Sequence, residues 1–403
     1  MEKIRSSISI SLCDIYVLLW ALHEYADMFV HTSLSTLGTF FSMMLISLYF
    51  FCRLLSKYQL EGYFKSLVIF LMFLSIYGLI YILGGHYVYG TKPTSFLLGN
   101  WSSLAPILVF YLSTLNGYIN EKKMLIYCVV FLVMAVTRFE YYYSTSYLEM
   151  GEYFTNTGFT NNASYFFVCL LPFTFLLDSK PVLKYLLLLV CIYFVMNGMK
   201  RGAILVTGVF FVYYLWATVF SQKNKKITKK QIISAILFCA TLFAISKFVK
   251  YSWIGNDYFN YRFQTMAEGD TNGRVEIYSI LWDEFSYNSN IFQMLFGHGA
   301  EGTIQIAQMH AHNDWLELLT DCGIIGVIVY LIYFISFYKE CKRYKDILPE
   351  KNIIFSSMLI LFVTSFFSMS FMDMYLGISC ALGYGMAMCK RKKILQLHEQ
   401  KNQ

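Results

Sequence analysis

Residues 66–85 read SLVIFLMFLSIYGLIYILGG, twenty residues without a charged side chain. A helix rises about 1.5 Å per residue, so roughly 20 apolar residues cross the hydrocarbon layer of a bilayer. Runs of this kind recur on both sides of 66–85, at 8–22, 33–52, 96–115, 123–139, 163–178, 185–199, 202–220, 231–249, 323–338, 353–370 and 375–389, twelve in all. The composition agrees. The 403 residues are 57% hydrophobic and only 14% charged, Phe and Tyr together number 70, and the mean hydropathy is +0.51. Soluble domains carry about 25% charged residues, so this chain lacks the polar surface for one. A soluble enzyme, a disordered chain and a nucleic-acid binder are excluded. The fold class is all-α and polytopic, with about twelve transmembrane helices.

The 185–220 stretch is interrupted by Asn197, Gly198, Lys200 and Arg201, so it reads as two helices joined by a tight turn. The first apolar run has no small-residue cleavage site after it and is expected to be a retained span. Ten cysteines, most of them inside apolar runs, form no CxxC or Cys/His zinc spacing and read as small apolar side chains. With the N-terminus inside and the spans alternating, 24 of the 32 Lys and Arg residues fall on the cytoplasmic side, as the positive-inside rule requires. The formal charge of +7 is therefore mainly a topology signal. Both termini are expected in the cytoplasm.

This topology divides the chain into 1–249 (nine spans with short loops), 250–322 (a long outside loop), 323–389 (three spans) and a basic tail, 390–403. A loop of that length is too long for a passive connector. It holds Trp253, Trp282 and Trp315, half of the six tryptophans. After the turn signal Asp270-Thr271-Asn272-Gly273, the residues Val275, Tyr278, Leu281, Trp282 and Phe285 recur at helical spacing. They describe an amphipathic helix, lying on the outer membrane surface or packed on the top of the bundle.

Within the loop, Met309-His310-Ala311-His312-Asn313-Asp314-Trp315-Leu316-Glu317 crowds two imidazoles and three further polar groups at the mouth of the tenth span. A neutral imidazole takes a proton from a sugar hydroxyl near neutral pH. Asn313 or Asp314 would cap the following helix or orient the ring. The alternative is a set of interfacial histidines and caps without chemistry. Gly323 and Gly326 would let two helices approach closely.

Eight basic residues remain outside, where the positive-inside rule disfavours them. Among them are Arg138, Lys200, Arg201, Arg262 and Arg274. Guanidinium groups bind phosphate oxygens bidentately, which suits a diphosphate at the membrane face; headgroup anchoring is the other reading. Lys200 cannot fork and is the weaker member of its pair. Metal chemistry is not expected, since no Asp-x-Asp occurs outside. Glu24 and Asp27 read as solvated loop residues. Ionisable residues are nearly absent from the spans, which argues against an ion-driven carrier.

These residues resemble the bacterial O-antigen ligase and O-antigen polymerase superfamily. His312-Asn313 is followed by nine residues and then by Gly323-Ile324-Ile325-Gly326, the family's His-Asn/Gly-x-x-Gly spacing. Lys200-Arg201-Gly202-Ala203 is similar to its Arg-Gly turn. Gly273-Arg274 followed by Phe296-Gly297-His298-Gly299 is similar to its Gly-Arg and Gly-x-Gly segment, and Asn161-Asn162-Ala163 to a weaker element. The likeness covers roughly 155–340; the first 150 residues agree only in hydropathy.

The resemblance implies a membrane-embedded glycosyltransferase of the C type, in the bacterial inner membrane and acting in lipopolysaccharide biosynthesis. Its donor would be an undecaprenyl-diphosphate-linked glycan at the periplasmic face, with no cofactor and no metal. Carried over, Arg201 and Arg274 would hold the diphosphate and His312 would activate the acceptor. Arg138 and Arg262 are looser assignments. Lys200, Asn313, His310 and His298 are further substrate-binding candidates, the two histidines without a clear family counterpart. Expected partners are the lipid-linked oligosaccharide, membrane lipid and a polysaccharide chain-length regulator.

The motifs are shared by two activities. A polymerase joins the glycan to another lipid-linked repeat unit, whereas a ligase joins it to lipid A–core. The bias toward Tyr, Phe, Ile, Lys and Asn and the weak likeness of the first half lean toward polymerase. From other classes, a lipid-linked oligosaccharide flippase or a non-catalytic assembly partner would use the loop differently.

Overall fold

A computed structural model describes residues 11–30, 33–57, 62–85, 94–149, 162–177, 180–198, 200–220, 236, 243, 273–343, 350–368, 381–383, 385–387 and 390. Among these residues all regular structure is helical. The helices are α1 Leu12–Tyr25, α2 Ser33–Lys57, α3 Gly62–Gly84, α4 Ser95–Leu115, α5 Glu121–Glu149, α6 Ser164–Leu170 with a 3-10 continuation Leu171–Leu177, α7 Pro181–Asn197 and α8 Arg201–Leu215. They continue with α9 Arg274–Asp283, α10 Ile291–Phe296, α11 Gly302–Ala307, α12 Asp314–Arg343 and α13 Glu350–Thr364. Five segments are long and apolar enough to cross a membrane: Phe64–Gly84, Phe96–Leu115, Glu121–Ser144, Arg201–Thr218 and Asp314–Arg343. Shorter apolar helices occupy Gly38–Arg53, Ser164–Leu177 and Val182–Asn197. The chain is a multi-pass helical membrane protein. The expected spans 231–249 and 375–389 lie almost entirely outside the described residues.

Helix boundaries follow local chemistry. Asp14 accepts from the Ser11 backbone N–H at 2.6 Å, closing a capping box at the start of α1. Pro181 opens α7, where its missing N–H costs nothing. The turn between α7 and α8 is present as read.

Lipid tails are as apolar as the helices, so close packing rather than water exclusion must hold the bundle. Aromatic side chains supply it. Phe70 of α3 lies 5.2 Å from Tyr330 and 5.9 Å from Tyr333 of α12. Phe167 and Phe194 stack at 4.5 Å between α6 and α7. Tyr213 of α8 meets Phe355 of α13 at 4.7 Å and donates to Asn352 at 3.0 Å.

Three expectations change. Ionisable groups do enter the bundle, in pairs: Lys123 with Asp14 at 2.6 Å, Arg138 with Glu24, and Lys390 with Glu350. Pairing removes most of the penalty that a lone charge would carry there. Glu24 is consequently buried rather than solvated, while Asp27 is exposed. Lastly, α12 starts at Asp314, nine residues before the apolar run expected at 323–338. Asp314, Glu317 and Asp321 recur at helical spacing and are all buried in protein, so a hydropathy average reads this polar first section as loop.

Candidate functional site

The site is assembled at the start of α12. Asn313 caps that helix, its Oδ1 accepting from the Trp315 and Leu316 backbone N–H groups at 3.0 and 3.2 Å. His312, just before it, has φ +50, a left-handed conformation uncommon for a side chain with a Cβ. The neighbouring structure holds it there. Asp314 N–H donates to Ser365 O at 2.8 Å, at the end of α13, and the Trp315 indole donates to Ser365 Oγ at 3.0 Å. The buried Asp314 carboxylate accepts from Tyr330 at 2.6 Å.

The start of α8 is pressed against the same region. A Cβ on Gly198 would run into Ser164 Oγ, and one on Gly202 would run into the Tyr165 hydroxyl and come within 3.6 Å of Phe367 Cβ. The turn carrying Lys200 and Arg201 is therefore fixed between the start of α6 and the end of α13. Arg201 is the first residue of α8.

Helix α9 brings Arg274. Gly273, at φ +75, turns the chain into it. Ile277 and Leu281 form its packed face, against Ala311, with Tyr278, Ile306, Ala307 and Leu316 around them. The expected face is corrected here, because Val275 and Trp282 point outward. Ala311, between the two histidines, is the seat of α9, and this places Arg274 near His312.

The two histidines are driven in opposite directions. His312 is held below the ordinary imidazole value, first by partial burial and then by the charges of Arg274, Lys200 and His310, with Glu317 opposing. His310 is held above it by Glu317, whose Oε1 lies 2.7 Å from Nδ1, against the effect of burial. The surroundings therefore favour the neutral ring at His312 and the charged ring at His310.

Glu317 was not among the residues singled out for a role. It is 2% exposed and also accepts from Thr303 Oγ1 at 2.6 Å and from Ala311 N–H at 2.7 Å. The usable signal was its place in the buried acidic row with Asp314 and Asp321. Glu317→Ala would leave the buried Thr303 hydroxyl and Ala311 N–H without their acceptor; we expect a loss of about 1–3 kcal/mol. Glu317→Gln keeps an acceptor and should lose less. Thermal unfolding in detergent would measure both.

The glycine motifs have a different physical basis from the one expected. Gly323 has φ +66 and breaks α12, which frees the carbonyls before it. His298 N–H donates to Thr320 O at 2.8 Å and Gly299 N–H to Asp321 O at 3.0 Å. Backbone crosses backbone: a Cβ on Gly323 would strike Leu295 and Gly297, and one on Gly297 would strike Asp321 and Cys322. Gly323 thus admits the 295–299 segment rather than a second helix. Gly326 packs under the break, against Cys322 of its own helix.

The other candidates are dispersed around this centre. His298 belongs to the crossing, with Nε2 3.1 Å from Ser289 Oγ, and burial lowers its pKa while Glu284 opposes. Arg138 is engaged by Glu24 and sits over the rings of Tyr142 and Phe166 at 5.5 and 5.3 Å. Arg262 and Asn161 lie outside the described residues. Among the described residues no set of three or more His, Cys, Asp or Glu is placed to hold a metal ion.

The described helices thus form a multi-pass bundle with Arg274, Lys200 and His310 near His312 at the start of α12. Residues 186–331 match the family model described as O-Antigen ligase. This segment, about a third of the chain, is thus similar to the O-antigen ligase and polymerase superfamily. The matched region contains Lys200, Arg201, Arg274, His298, His310, His312, Asn313 and Glu317, and excludes Arg138. No curated protein matches the chain.

Proposed function

We propose that this protein is a surface-polysaccharide (O-antigen) polymerase of the bacterial inner membrane. It transfers a glycan from undecaprenyl diphosphate to the next lipid-linked repeat unit at the periplasmic face, without a metal. The observation that carries this reading is His312 standing among Arg274, Lys200 and His310, at the start of the α12 helix pinned beside the Arg201 turn. As the acceptor oxygen bonds to the anomeric carbon, its proton passes to His312. The bond from that carbon to the diphosphate breaks, and the electron pair leaves with the lipid diphosphate. Arg201, Arg274 and Lys200 bind the growing charge more strongly than the ground state, which is the source of rate. Both termini are assigned to the cytoplasm, the chain to twelve spans, and a chain-length regulator is the expected partner.

The family description favours a second reading, transfer of the same donor to lipid A–core. Purified protein in vesicles with lipid-linked repeat units alone should yield longer glycans. A product appearing only after lipid A–core is added would establish the ligase instead.

The pH dependence follows from the two histidines. His312 acts when deprotonated, so activity should fall with decreasing pH along a limb lying below 6.5, the ordinary imidazole value. His310 contributes as a cation, so activity should fall again along a limb above 6.5. Arg274→Gln removes a neighbouring cation and should move the acid limb upward. A profile of kcat/KM against pH checks both the limbs and the shift.

A further inference from the structure

Among the described residues between α8 and α12, the short helix α10 is the least protected apolar element. Its sequence, IFQMLF, has Ile291 78% and Phe292 66% exposed, with Leu295 and Phe296 also exposed. Its height beside the bundle can be read from α3. That helix runs antiparallel to α12: Ser66 meets Ser336, Phe70 meets Tyr330, and Tyr77 hydroxyl donates to Phe296 O at 2.7 Å. Phe296 therefore lies level with Tyr77. Beyond Tyr77, α3 continues for seven residues to Gly84, about 10 Å further toward the site. This last section is apolar and uncharged, with Leu79, Ile80 and Leu83 exposed. A bilayer that covers them reaches past α10.

Backbone sits at that depth most readily where protein satisfies its polar groups, and several of these groups are so satisfied. Asn290 and Gln293 close a capping box at 3.0 Å in both directions. Gly297 N–H donates to Gln293 O at 2.7 Å, Tyr77 caps Phe296 O, and the next two N–H groups go to Thr320 and Asp321. The helix leaves apolar side chains outward and carries its polar backbone inward.

We infer that residues 290–299 form a shallow re-entrant dip, with Ile291 and Phe292 seated among the phospholipid acyl chains of the outer leaflet, continuous with the lipid-facing sides of α3 and α12. The dip holds the 297–299 crossing, and through it the start of α12, at a set height relative to the membrane. This concerns membrane contact rather than catalysis and stands independently of the proposed reaction.

The test places a photo-activatable benzoylphenylalanine at Phe292, at Ile291 as a second position, and at the exposed polar residue Gln305 of α11 as a control. The full chain is reconstituted in phosphatidylethanolamine–phosphatidylglycerol vesicles free of polyprenyl lipid, and adducts are identified by mass spectrometry. The expected result is phospholipid adducts at 291 and 292, reduced at least tenfold at 305. Equal labelling at 305, or adducts at 291 and 292 only to protein or water, would overturn the inference. So would phospholipid adducts absent at both positions and replaced by polyprenyl adducts once undecaprenyl diphosphate is added, since the face would then hold the donor's tail.

Discussion

Replacing His312 is expected to lower the rate of glycan transfer by about 10²–10⁴-fold, the range for a positioned proton acceptor. His312→Asn is the informative variant. Position 312 has φ +50, which Asn tolerates better than Ala, so the backbone entering α12 is kept while the base is removed. His312→Ala would combine lost chemistry with backbone strain. The cationic partners should behave differently. Arg274→Ala and Arg201→Ala each remove transition-state charge stabilisation and should cost about 10²-fold or more. Lysine at either position should recover little, because it cannot form the bidentate contact with phosphate oxygens. His310→Ala should keep the acid limb of the pH profile and lose the basic one. If the His312→Ala, Arg201→Ala and Arg274→Ala variants, normally inserted, all still lengthened glycan, a flippase or assembly role would replace the enzyme reading.

The largest structural effect is expected at the backbone crossing. Gly323→Ala places a Cβ at φ +66 and drives it into Leu295 and Gly297. Left-handed strain costs about 1–3 kcal/mol and overpacking about 1–3 kcal/mol more. Both neighbours are backbone, which cannot rotate away, so the upper part of that range applies. Gly297→Ala meets the same obstacle from the other side and should cost a similar amount. Gly208→Ala is the control: it lies inside α8 with open space around it, and it should be neutral or slightly stabilising. Thermal unfolding of the detergent-solubilised protein separates the two classes. A Gly323→Ala protein as stable as wild type would contradict the crossing.

Much of the fold was legible in hydropathy. The run at 66–85 appears as Gly62–Gly84, and that at 96–115 as Ser95–Leu115. Boundaries failed where polar residues are buried in protein. Asp314, Glu317 and Asp321 extend α12 through what reads as loop. The site was legible in its parts. His312, Arg274 and the Lys200-Arg201 turn were singled out from residue type and spacing, and the structure places Arg274 and Lys200 around His312. What spacing could not supply was the opposite electrostatic pull on His310 and His312. That depends on Glu317 reaching one ring and on Arg274 and Lys200 lying near the other. The glycine motif was read as helix packing because its partner, 295–299, is distant in sequence and only the positive φ shows what it admits. Glu24 and Arg138 show the opposite failure: each was read alone, and each is explained by the other.

The most direct test of the account is the initial rate of glycan transfer by the purified, vesicle-reconstituted protein supplied with undecaprenyl-diphosphate-linked repeat units, measured for wild type beside His312→Asn. The account predicts chain extension by the wild type and a rate at least about 10²-fold lower in the variant at equal membrane insertion. Equal rates, or no transfer by the wild type to either repeat units or lipid A–core, would contradict it.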